Sequence, residues 1–223
     1  MKKTVGLLAI LVLTGCSGTS GKKTPACKDS VLYGYVGICL PEMSGMTECR
    51  THAGVQQIIQ PYLASGPVLG YYLNEETYKQ VDKLAEISYE DYFMLYGDYQ
   101  RENYYAREAD LDRAAKELEE TLFEGNNFDR ITSKVEEYYG TITAGKPALI
   151  EKYSPDRNVR TMIVLMKYKN GESETSVVSA VDFILTKNRL LNLAYYVAYN
   201  GGKSIDDAKK KNDTFVKQLL EIN

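Results

Sequence analysis

The chain of 223 residues has no tryptophan, one histidine (His52), four cysteines and no apolar run of bilayer length. Each shortage closes a route. A single histidine excludes HExxH, which sets two imidazoles on one helix face. No CxxC is present, so a dithiol redox centre and a zinc knuckle are both unsupported. GxSxG and a glycine-rich phosphate cradle are missing too. The apolar stretch from Val5 to Leu13 falls well short of the roughly 20 residues that a spanning helix needs. Positive charge is not in excess. The formal net charge of −3 argues against a nucleic-acid partner and gives no attraction to an anionic membrane surface. There is no internal repeat.

What is present begins at the start of the chain. Met1-Lys2-Lys3 is a short basic segment, Val5 to Leu13 is apolar, and small residues follow. This is the pattern of a secretory signal. Its end, Leu13-Thr14-Gly15-Cys16, resembles the lipobox of bacterial lipoproteins. The resemblance implies diacylglyceryl transfer to the Cys16 sulfur, cleavage between Gly15 and Cys16, and acylation of the new N-terminus. Several acyl chains on one residue meet the need for more than one anchor. Ser17, rather than Asp, follows Cys16, which favours the outer membrane facing the periplasm, with the cell surface as the alternative. Residues 1–15 thus read as a lipoprotein signal peptide. Residues 16–28 read as a tether, flexible because Ser17 to Pro25 is rich in Ser, Thr, Gly and Lys. Residues 29–223 read as a single α+β domain with a helical insertion over about 75–139.

Three cysteines remain in what would be an oxidising compartment. The expected disulfide joins Cys39 to Cys49 across the turn-rich Pro41 to Gly45 segment, contributing about 2–3 kcal/mol on the chain-entropy model. Cys27 with Cys49 is the alternative.

Val31 to Leu40 reads as a first strand, ended by Pro41. Thr51 to Leu63 and Glu75 to Leu84 have helical spacing, and Pro67 to Leu73 reads as a strand. Ser88 opens a further predicted helix with Tyr89, Phe93 and Tyr96 as its stripe. Tyr105 to Glu124 is the clearest helix, and Phe128 to Gly140 is another. Thr141 to Tyr153 is extended, with Pro147 marking an edge or bulge. Val159–Tyr168, Thr175–Thr186 and Leu190–Tyr199 form a three-strand meander, turned at Asn170-Gly171 and Lys187-Asn188. Ser204 caps a last helix whose buried face is Ile205, Ala208, Phe215, Leu219 and Ile222. Ile163 and Leu165 point one way and Met162, Val164 and Met166 the other, so both sheet faces should be covered. The expected architecture is an antiparallel sheet with helices on both faces, an α/β/α sandwich.

A strand ending in Leu-Pro (ICLPEMSGMTE), a helical middle, a meander and a packed last helix follow the lipobox and tether. That order resembles bacterial lipoproteins of the DcrB type, which share the fold of the photosystem II extrinsic protein PsbP. The resemblance is architectural and would span most of Val31 to Asn223. It implies adaptor or assembly roles rather than catalysis and carries over no functional residue.

Chemistry has few places to reside. His52 could serve as a base only beside a Ser or Cys, and Cys49 is three residues away. Glu75-Glu76, Glu119-Glu120 and Glu136-Glu137 are adjacent pairs that cannot flank one bond, since helix neighbours diverge. Asp182 lies mid-strand among apolar residues and requires a partner, with Lys167, Arg160 and Arg189 as candidates. The polar loop Tyr153 to Asn158, with Arg157 and Arg160, could hold an anion. Tyrosine is the compositional excess, 19 against five phenylalanines. Tyr71, Tyr72, Tyr195, Tyr196 and Tyr199 could build one exposed patch for a partner or a sugar. No catalytic residue, metal site or cofactor is expected. The expected role is a membrane-anchored binding or envelope-assembly protein with an envelope protein as partner. The alternative is a small-molecule or glycan-binding lipoprotein using these tyrosines.

Overall fold

A computed structural model describes residues 27–87, 89–123, 142–170 and 173–223. The leader, Cys16, the tether up to Ala26, Ser88, the expected helix Phe128 to Gly140, Glu136-Glu137 and Gly171 lie outside the described residues. The fold is α+β, built on one large antiparallel sheet. Among the described residues no helix is long and apolar enough to cross a membrane.

The first surprise is local. Val31 to Leu40 is a hairpin rather than one strand: β1 (Ser30–Tyr33) turns at Gly34-Tyr35 into β2 (Val36–Cys39). Gly34 has φ +59, which a glycine adopts without a Cβ clash, and that permits the reversal. The hairpin returns Cys39 beside Ser30 and therefore beside Cys27. The disulfide is accordingly Cys27–Cys39, with Cα atoms 5.5 Å apart, and neither expected pairing of Cys49 forms. Closing a loop of this size contributes about 3 kcal/mol on the chain-entropy model. Cys49 is buried and free, and its thiol donates to the Tyr71 carbonyl oxygen at 3.3 Å.

β3 (Met46–Glu48) forms one edge of the sheet and pairs with β4 (Val68–Asn74). Between them lie α1 (Ala53–Ile59) and a single 3-10 turn, which replace the longer helix expected from Thr51. After β4 the predicted helix Glu75 to Leu84 shortens to α2 (Glu75–Tyr78), capped by Asn74, and a second 3-10 turn. The helix expected from Ser88 is instead β5 (Tyr92–Tyr96), held between β4 and β10 (Arg189–Ala198). Ladders on both sides and a sequence of YFMLY outweigh the chance helical spacing of Tyr89, Phe93 and Tyr96. The insertion over 75–139 is therefore not wholly helical. α3 (Glu108–Phe123) then follows as expected.

The meander forms as its alternation dictates. β8 (Val159–Asn170), β9 (Ser173–Thr186) and β10 pair in sequence, with Lys187 and Asn188 both at positive φ in the tight turn. β6 (Ile142–Ala144) and β7 (Ala148–Tyr153) both pair with β8, and Pro147 falls in the gap between them. Strand order is β3-β4-β5-β10-β9-β8, with β6 and β7 along the outer side of β8.

α4 (Gly202–Ile222) starts ahead of the expected cap; Ser204 instead donates to the Gly201 carbonyl at 2.6 Å. Ala208, Phe215 and Leu219 are buried as foreseen, together with Asn212 and Val216. α4 and the β1–β2 hairpin cover one sheet face, packing on Ile163, Ala180, Leu193 and Phe93. The opposite face packs in two patches. α1 lies over Tyr71, Leu73 and Met94, and α3 lies over Met162, Val164 and Phe183. Ile163 and Met162 thus point to different helices, as the two-sided apolar pattern of β8 requires.

Candidate functional site

The five tyrosines expected to form one exposed patch do not. Tyr71, Tyr72 and Tyr195 are buried. Neighbours on a strand face opposite ways, so Tyr72 joins the α4 core, its ring 5.0 Å from Phe215, while Tyr71 lies under α1. Tyr195 stacks on Phe93 at 4.1 Å. Tyr71, Tyr92 and Tyr196 form a stacked ladder across β4, β5 and β10, with centroids 5.5 and 4.9 Å apart. Burial pushes the Tyr71, Tyr92 and Tyr196 phenols well up, so they stay neutral. Only Tyr199 is exposed, and alone it makes no patch.

The exposed tyrosines are others. Tyr35 is 90 % exposed, Tyr105 61 %, Tyr99 50 % and Tyr104 49 %. They sit on two segments far apart in sequence but locked together. Tyr33 donates its hydroxyl to the Asp98 carbonyl and accepts from the Asp98 amide, both at 2.9 Å. A Cβ on Gly34 would come within 2.2 Å of the Glu102 carbonyl oxygen, and one on Gly97 within 2.2 Å of the Tyr33 ring. The hairpin turn and the 97–105 loop therefore touch backbone to backbone. The β9–β10 turn closes the same end: Lys187 Nζ reaches the Gly37 carbonyl at 2.8 Å, Ala106 N donates to Asn188 O at 3.0 Å, and Arg189 holds the Tyr104 carbonyl at 3.0 Å.

Two small clefts, about 260 and 210 Å³, run beside this end between the 97–105 loop and α3. Arg101 and Glu117 line both, paired at 3.1 Å, and Tyr104 lines the smaller. The result is an end tied across three segments, carrying exposed tyrosines with the Arg101–Glu117 pair near them. Such surface suits protein recognition, where tyrosine supplies area at little entropy cost. One sequence signal could have found it. Tyr99, Tyr104 and Tyr105 lie in a charged stretch, DYQRENYYARE, with no apolar period to bury them.

Nucleophilic chemistry is not assembled at His52. Its Nδ1 accepts from the Gly54 amide at 3.3 Å, capping α1, and its Nε2 lies 3.7 Å from Asp82. Burial, then the nearby Glu48 charge, pushes the Cys49 thiol up to about 12, so no thiolate is available. Glu119 and Glu120 are taken by Lys152 and Lys116. Arg160 pairs with Asp112 at 2.7 Å and its Nη1 donates to the Arg157 carbonyl at 3.0 Å, so its guanidinium is engaged within the protein. Among the described residues no group of side chains is placed to hold a metal ion.

Asp182 is fully buried, but none of its expected cationic partners reaches it. Lys167 pairs with Glu174, Arg160 with Asp112, and Arg189 binds backbone carbonyls. Its Oδ1 instead accepts from Thr161 Oγ1 on β8 and from Asn212 Nδ2 on α4. A second polar contact ties α4 down at its flank. Asp91, at φ +63, accepts from the Tyr195 hydroxyl at 2.7 Å and pairs with Lys211.

Comparison with family models, curated proteins and solved structures finds no match.

Proposed function

We propose that this chain is a lipid-anchored envelope protein, acylated on Cys16, that works by binding a partner protein. Its binding surface is the end bearing Tyr35, Tyr99, Tyr104 and Tyr105. The observation that carries this reading is their exposure on segments that are interlocked through backbone contacts. A rigid aromatic surface loses little entropy on binding. The Cys27–Cys39 disulfide adds support, since such bonds persist in exported proteins. It also gives the tether a covalent seat on the domain. The outer membrane facing the periplasm is the proposed residence, with the cell surface as the alternative. The fold is proposed to be of the PsbP-like sandwich type, supported by the element order and by helices against both faces of the meander.

The test is crosslinking in cells of the lipidated protein, followed by capture and mass spectrometry. A Cys16→Ala chain behind a soluble signal and a Tyr35→Ala/Tyr99→Ala/Tyr105→Ala chain serve as comparisons. One partner enriched with the native chain and lost from the triple variant is the expected outcome. Equal recovery of that partner by the triple variant would sink the proposed surface. Recovery of abundant envelope proteins alone would sink the adaptor role and turn attention to glycans. Intact mass of the purified chain reads the acylation separately.

A further inference from the structure

The Asp182 site contains two acceptors without donors. Asp182 Oδ2 and Asn212 Oδ1 are both buried and have no hydrogen-bond partner among the described residues, although the two side chains already share the Asn212 Nδ2 to Asp182 Oδ1 bond at 3.0 Å. Buried oxygens without donors are costly and rare. One proton resolves both. We infer that the folded protein carries a hydrogen on Asp182 Oδ2 and that this hydroxyl donates to Asn212 Oδ1, closing a carboxyl–amide ring that latches α4 onto β9 and opens when the proton leaves.

Among the described residues no other side chain donates that hydrogen. β7 presents Tyr153 and Glu151: the Tyr153 hydroxyl donates its hydrogen to Asp213 at 2.9 Å while its oxygen faces the Asn212 amide as an acceptor, and Glu151 takes Lys209 of α4 at 2.6 Å. β10 presents Tyr195, whose hydroxyl goes to Asp91; β1 presents Tyr33, which goes to Asp98; β4 presents Tyr72, which goes to the Pro41 carbonyl. Tyr96 of β5 lies on the opposite sheet face. The charge on α4 that acts on Asp182 is that of Asp213, a like charge. Burial is the main influence and lifts the carboxyl to about 7, against the bonds from Thr161 and Asn212 that favour the anion.

The sign follows from linkage. In the unfolded chain this carboxyl titrates near its ordinary value of about 3.9. Between there and about 7 the folded state holds the extra proton. The latch therefore stabilises fully below about pH 4 and is lost as pH rises through about 7. Above that, two acceptor oxygens share an apolar site with no hydrogen between them, and α4 loosens.

Asp182→Asn replaces the hydroxyl by an amide N–H that donates to Asn212 Oδ1 at any pH. Urea unfolding of the full chain in detergent is followed from about pH 4 to about pH 8. The native chain's folding constant should fall roughly a thousand-fold relative to the variant across that range. In parallel, NMR of the native chain should show the Asp182 carboxyl carbon and the Asn212 side-chain amide moving together, with a midpoint near 7. Parallel stability profiles for the two chains would overturn the latch. So would an Asn212 amide that stays fixed while Asp182 titrates, and this second readout decides the matter even if the variant fails to fold.

Discussion

Two sets of tyrosines divide this molecule. Tyr71, Tyr72 and Tyr195 sit on strands with their rings in the core, Tyr92 stacks on Tyr71, and Tyr196 stacks on Tyr92. Tyr35, Tyr99, Tyr104 and Tyr105 sit on a turn and a loop with their rings in solvent. The side chain is the same and its use is opposite. On a strand between two ladders, each ring has a neighbour at the same height on the next strand, so the apolar body is consumed by packing. The hydroxyl then finds one local acceptor, as Tyr72 does at the Pro41 carbonyl, 3.1 Å away, and Tyr195 at Asp91. In the loop no ladder supplies neighbours. Tyr33 takes the one inward place against Gly97, and the tyrosines around it are left outside. The lesson is that tyrosine abundance does not mark a binding face; the backbone under each tyrosine does.

That contrast can be broken by substitution. The largest effect is expected at Tyr72. Tyr72→Ala removes a ring packed on Phe215 and should cost about 3–5 kcal/mol of unfolding free energy, read by urea denaturation. A loss below about 1 kcal/mol would mean the α4 core does not depend on this ring. Next comes Tyr195→Phe, which keeps the stack on Phe93 and deletes only the bond to Asp91. It should cost about 1–2 kcal/mol, with Lys211 remaining as partner to the Asp91 carboxylate. The smallest effect is expected at Tyr35. Tyr35→Ala should change stability by no more than about 0.5 kcal/mol, because the residue is 90 % exposed. A stability loss at Tyr35 equal to that at Tyr72 would erase the distinction between the two sets.

Legibility followed the same divide. The meander was readable from alternation and turn residues alone, and so was the assignment of Ile163 and Met162 to different faces. α3 and the buried stripe of α4 were readable from their spacing. The β1–β2 hairpin was not, because Gly34 looks like any strand glycine until its φ of +59 is known. The disulfide error descends from that one turn: with the chain reversed, Cys39 meets Cys27 and Cys49 goes to the other side of the sheet. β5 was misread because five residues cannot distinguish a helical stripe from a two-sided strand when both are aromatic-rich.

Asp182 shows the limit most clearly. Its position among Val178, Ala180 and Ile184 already required burial and a partner. Pattern alone could not say that the partner would be an amide, Asn212, 30 residues on, rather than a cation in the same meander. By itself the sequence determined what is local: the antiparallel meander, the amphipathic helices, and the surplus of tyrosine rings to be placed. Tertiary structure decided which tyrosines reach solvent, which cysteines meet and which hydrogen bond serves Asp182. Each of those depends on distances between segments that no periodicity encodes, and on a few backbone reversals whose energetic cost is small beside the packing they direct.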